Sequence, residues 1–144
     1  MGFMPETLPT QIDLEIVTPD HLVVHDTVTA VTIPGKAGYL GILPGHTPLL
    51  SEIVPGEIAY VRDSVTYYLT VSWGFAEVLA DRVMVLARTA ERAEEIDIAR
   101  AEAAKERAEE RLKRYSDVSV DRERARETLA KAMARLETAR RAKG

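Results

Sequence analysis

A chain of 144 residues with no cysteine and a formal net charge of -4 has room for one ordinary domain, or for a small domain and an appendage. Neither a disulfide framework nor a thiol nucleophile is available, and with only His21, His25 and His46 a zinc site is not expected. No apolar run approaches the ~20 residues that span a bilayer, and no basic-then-apolar leader opens the chain. A soluble, intracellular protein is therefore expected, reaching any membrane only through a partner.

Met1 to Thr10, with Pro5 and Pro9, reads as a loosely attached start. From Gln11 the pattern has period two, with Ile12, Leu14 and Ile16 predicted on the buried face of a strand. Thr18 to His21 signals a turn, Leu22 to His25 opens the next strand, and Thr27 to Ile33 is β-branched nearly throughout. Pro34 to Leu50 is punctuated by Pro34-Gly35 and Pro44-Gly45, leaving one very short strand, Tyr39 to Leu43. Further strands are predicted over Leu49 to Val54, Glu57 to Arg62, Val65 to Ser72, Trp73 to Leu79 and Val83 to Ala87, with Asp63-Ser64 as one of the turns. Many short strands joined by turn dipeptides predict an all-β sandwich or barrel.

The last third changes character. From Glu91 to Lys143 there is no glycine or proline, and strong helix formers dominate. Two apolar stripes, Ala101, Ala104, Ala108, Leu112 and Tyr115, then Ala125, Leu129, Ala132, Leu136 and Ala139 with Met133 beside them, predict two amphipathic helices. Glu94, Glu95 and Asp97 are expected in the first turn of the first helix, with Ser119 capping the second. The fold class is thus α+β: an N-terminal all-β flattened sandwich or barrel over residues 1–90, then an antiparallel two-helix hairpin over 91–144. The stripes are mostly alanine and bury little area, so the hairpin is expected to be weakly held, as a switch would be.

Chemistry is sparse. No serine has triad partners, and Gly35 to Gly41 is not a phosphate-cradling loop leading into a helix, so no enzyme active site is expected. Asp97, Arg100, Arg107, Arg111 and Arg114 share one helix face. On pattern alone this stripe reads first as a solvated, salt-bridged surface. The other reading has Arg100 and Arg107 holding phosphate oxygens, with Asp97 accepting from a ribose hydroxyl or a base amino group, or orienting Arg100. Charge is uneven: residues 1–90 carry four basic against ten acidic groups, residues 121–144 eight against four. A basic terminal helix on an acidic body points to an acidic protein partner, and the helix lacks the aromatics that would suit nucleic acid.

The string Gly41-Ile42-Leu43-Pro44-Gly45-His46-Thr47-Pro48-Leu49-Leu50, together with Trp73 to Val78 and Ile96 to Ala101, resembles the epsilon subunit family of rotary F-type ATP synthases. The resemblance implies a non-catalytic rotor subunit, peripheral on the cytoplasmic face of a bacterial inner membrane. Its β domain would attach to the gamma subunit and the c-ring, with Tyr39, Leu43 and His46 at that contact. Its helices would extend toward the alpha/beta catalytic hexamer and block ATP hydrolysis, Arg122, Arg124, Arg126, Arg140 and Arg141 meeting an acidic segment of beta. No cofactor is required, but some relatives bind ATP as a non-hydrolysed regulatory ligand. Their pattern falls here on Glu91, Ile96, Asp97, Arg100, Ala101 and Arg107, with Lys131 and Arg135 from the second helix. Two alternatives stand beside the rotor reading: a sensor whose ATP binding dominates its role, and a sandwich scaffold with a helical interaction arm.

Overall fold

The computed structural model describes residues 8–114 and 116–143. Tyr115 and most of the loose start therefore lie outside the described residues. Among the described residues ten strands form one sheet: β1 (Ile12–Val17), β2 (Leu22–Val28), β3 (Ala30–Gly35), β4 (Gly38–Ile42), β5 (Leu49–Ile53), β6 (Gly56–Arg62), β7 (Val65–Val71), β8 (Gly74–Val78), β9 (Arg82–Ala87) and β10 (Ala90–Arg92). Their order is β10-β7-β6-β3-β5-β8-β9-β1-β2, with β4 paired to β3 outside that path.

The expected alternation in β1 holds, with Ile12, Leu14 and Ile16 fully buried. They pack with Ile33, Ile58, Leu69, Val83 and Val85 in a single apolar core. Each such side chain contributes about 1.5–3 kcal/mol on burial. The sheet folds over until its ends meet. Asp26 on β2 accepts from the Tyr60 hydroxyl (3.4 Å) and from the Arg62 guanidinium (3.0 Å) on β6. Arg92 on β10 donates to the Val23 carbonyl on β2 (2.9 Å). The result is the flattened barrel that the turn-rich sequence predicts.

The structure refines or departs from the sequence reading in three details. The β-branched run Thr27 to Ile33, left undivided by the sequence, is split between two strands. Thr29 separates β2 from β3, its amide bonded to the Val61 carbonyl (2.9 Å), where the chain leaves β1 and joins β6. Strand propensity marks extended backbone but not which neighbour it pairs with. At the other end, Ala90–Arg92 pairs with β7, and Ala93–Glu95 forms a 3-10 turn. Glu94 and Glu95 thus precede the first helix, α1 (Ile98–Lys113), whose first turn holds no acid. Asp97 caps it instead, accepting from the Arg100 amide (3.0 Å). The second helix, α2 (Arg122–Lys143), is capped by Asp121, which accepts from the Arg124 amide (3.0 Å). Ser119 bonds to Asp117 rather than to the helix. A carboxylate adjoining the first turn outcompetes a serine two residues further back.

Ala101 and Ala108 of α1, and Ala125, Ala132 and Ala139 of α2, are buried, so the two alanine stripes form the helical seam. α2 also lies against β6 and β7, so the hairpin is folded down on the sandwich. Among the described residues no helix is long and apolar enough to cross a membrane.

Candidate functional site at the joint of barrel and hairpin

Where the hairpin meets the barrel, a cavity of about 420 Å³ is walled by His21 and Val23 of the β2 end, Thr70 and Val71 of β7, Glu91 and Arg92 of β10, Glu95, Arg100 of α1, and Lys131 and Arg135 of α2. Four cations therefore converge from three elements far apart in sequence. Two of them are engaged. Arg135 donates from Nε (2.8 Å) and Nη2 (3.2 Å) to the two oxygens of Glu91, a bidentate pair that fixes α2 to β10. Arg92 is held by the Val23 carbonyl and the Tyr60 hydroxyl (3.4 Å). Among the described residues Arg100 and Lys131 make no ion pair. Two cations without an ion pair, beside two engaged ones, are a donor set that suits an anionic ligand.

Of the residues predicted for nucleotide binding, Glu91, Arg100, Lys131 and Arg135 line this cavity. Ile96 and Ala101 are buried, and the Asp97 carboxylate serves the helix cap. Arg107 lies two turns along α1 from Arg100, in a separate surface groove with Glu110, Arg111 and Arg114. Arg92 and His21 escaped the sequence reading. Arg92 adjoined an expected domain boundary, and His21 read as a turn residue. Only the β10–β7 pairing and the closure of the barrel bring them into the wall.

The predicted partner residues fall into two groups. Tyr39 and Leu43 are exposed on and beside β4, and His46 bonds through Nδ1 to the Thr47 carbonyl (2.7 Å). The Tyr39 hydroxyl also accepts the Glu57 amide (3.2 Å). On α2, Arg124 and Arg126 are exposed, while Arg122 donates to the Leu112 carbonyl (2.9 Å) across the hairpin. Arg140 pairs with Glu137, and Arg141 pairs with Glu57 of β6 (3.0 Å) and with Glu137 (3.5 Å). Part of the basic surface is thus spent internally while the hairpin is folded down.

Glu57 has a pH consequence. Burial pushes its carboxyl above the ordinary 4.5, against the opposing pull of Arg141 and the Thr138 hydroxyl. The folded chain therefore favours the protonated form. Its contribution to stability is fully present below the ordinary value and is lost as pH rises through the raised one. Urea unfolding, followed from pH 7 to pH 4, should show stability gaining in this window. The Glu57→Gln variant should lack that component, and an identical profile in both would refute it.

A β-sheet folded over into a flattened barrel and carrying a helical arm, with a cationic cavity at the joint, is the class of molecule these elements define. Comparison with known proteins narrows it. Residues 11–93 match the β-sandwich domain of the ATP synthase delta/epsilon chain, and residues 94–140 match its long alpha-helix domain. The ATP synthase epsilon chain of Koribacter versatilis (strain Ellin345) is 61% identical over 100 residues, covering 69% of this chain and 70% of that one. That of Solibacter usitatus (strain Ellin6076) is 44% identical over 132 residues, covering 92% and 98%. A chain in the cryo-EM structure of the Euglena gracilis mitochondrial ATP synthase (OSCP/F1/c-ring) superposes with a TM-score of 0.81 at 25% identity, covering 99% of this chain and 88% of that one. The chain belongs to the delta/epsilon family of ATP synthase chains.

Proposed function

We propose that this chain is the epsilon subunit of a bacterial F-type ATP synthase, a non-catalytic component of the central-stalk rotor. Its barrel attaches to gamma and to the polar loops of the c-ring through the region of Tyr39, Leu43 and His46. The subunit is thereby held at the cytoplasmic face of the inner membrane without entering it. Its helices act as a brake: released from β6 and β7, α2 presents its arginines to an acidic segment of a beta subunit and stops ATP hydrolysis. The observation that carries this reading is the tiling of the chain, in order, by the two domains of one family. Truncation after Ile96 keeps β10 in the sheet and removes both helices. The truncated chain should still assemble with gamma but no longer inhibit, and undiminished inhibition would rule out the brake.

A second reading, that ATP is a non-hydrolysed ligand which holds the hairpin down, is favoured by the unpaired Arg100 and Lys131 in the joint cavity. Those cations suit phosphate oxygens, and a ligand touching both α1 and α2 stabilises closure by its differential affinity for that state. Calorimetric titration with ATP, with and without magnesium, should give one-to-one binding that Arg100→Ala abolishes. No heat up to millimolar ATP would confine the arginines to partner contacts.

A further inference from the structure

On the outer face of the barrel, the β1–β2 ladder gathers three metal-ligating side chains. Asp13 and Glu15 are two residues apart on β1 and so point the same way. The antiparallel register sets His25 of β2 directly opposite Glu15. His25 Nε2 lies 3.1 Å from Asp13 Oδ1 and 3.9 Å from Glu15 Oε1, and the three ligating atoms all lie within 4.8 Å of one another. Around a divalent ion with bonds of roughly 2.0–2.2 Å, tetrahedral ligand atoms stand roughly 3.3–3.6 Å apart. Small rotations of the two carboxylates reach that spacing without moving either strand.

Charge points the same way. Among the described residues no lysine or arginine pairs with Asp13 or Glu15. Arg82, the β9 neighbour of Asp13, turns instead to Glu77 (3.8 Å). One imidazole N–H satisfies a single carboxylate, so two anionic oxygens face one nitrogen with their charge incompletely balanced. We propose that Asp13, Glu15 and His25 form a surface site for a borderline divalent metal such as zinc, with water completing its coordination. A mixed nitrogen and oxygen donor set of this size suits such an ion better than magnesium, which prefers oxygen alone in octahedral array. Bound there, it would pin β2, the last strand in the sheet order, to β1.

The test is calorimetric titration of the untagged full chain with zinc chloride, beside His25→Ala and the near-isosteric Asp13→Asn. Wild type should bind one zinc, each variant should weaken binding at least tenfold, and zinc should raise the melting temperature of wild type only. Affinity unchanged in either variant would place the metal elsewhere, at His21 or His46. No saturation below millimolar zinc would leave only a His25–Asp13 ion pair. Either result overturns the site.

Discussion

Gly74→Ala should cost the barrel about 3 kcal/mol or more, a large share of the ~5–15 kcal/mol that keeps an ordinary domain folded. Gly74 begins β8 and pairs with Ala87 of β9. A Cβ there would stand 1.8 Å from the Leu86 carbonyl oxygen, 2.8 Å from the Leu86 carbonyl carbon and 2.9 Å from the Ala87 Cα. All three are backbone atoms, so no side-chain rotation relieves the contact, and β8 and β9 must separate. Gly41 is the control: it has open space around it and no left-handed backbone, so Gly41→Ala should shift stability by well under 1 kcal/mol. Urea unfolding monitored by Trp73, the only tryptophan, reads both. Equal midpoints for the two variants would show that β8 and β9 tolerate the methyl group.

Arg135→Ala should release the hairpin while leaving the barrel intact. The Arg135–Glu91 pair is bidentate and largely shielded, with side-chain exposures of 17% and 30%. Its loss leaves Glu91 half-buried without its partner, which should cost closure about 2 kcal/mol. That is a shift of about thirtyfold in the closed-to-open ratio, against a seam built from alanines. Since the chain has no cysteine, thiols introduced at Met133 of α2 and Val65 of β7, both exposed, can be labelled without background. The distance distribution between the labels should broaden and lengthen in Arg135→Ala, with the near-ultraviolet spectrum of the barrel unchanged. A distribution identical to wild type would mean that the alanine seam alone holds α2 down.

Most of the barrel was legible in the sequence because its signals are local. Period-two burial marks β1, and Asp63-Ser64 makes a tight turn with both residues at positive φ. The helices were legible for the same reason, as was the alanine seam. What the sequence withheld depends on contacts between distant segments. The three residues of β10 carry no strand signature of their own and become a strand by pairing with β7. Arg92 gains its place only because the sheet closes on Val23. The cationic cavity was half legible: helical spacing put Arg100 and Arg107 on one face of α1, but the seating of α2 decides that Arg100 lines the cavity and Arg107 does not. That Glu91 satisfies Arg135 rather than standing free likewise depends on this seating, which no pattern along α2 encodes.

The alanine seam has a consequence for what happens after release. Helices joined through leucine or phenylalanine would, once parted from their support, show water a greasy stripe that invites aggregation or a wrong neighbour. Here the buried apolar positions of the two helices are all alanines, Ala101, Ala108, Ala125, Ala132 and Ala139, set among many charges, and the leucines of the stripes, Leu112, Leu129 and Leu136, are only half-buried. An arm freed as proposed would therefore stay well solvated and would choose its partner through paired charge rather than through grease. Its excursions should be repeatable over many cycles without a chaperone to restore it.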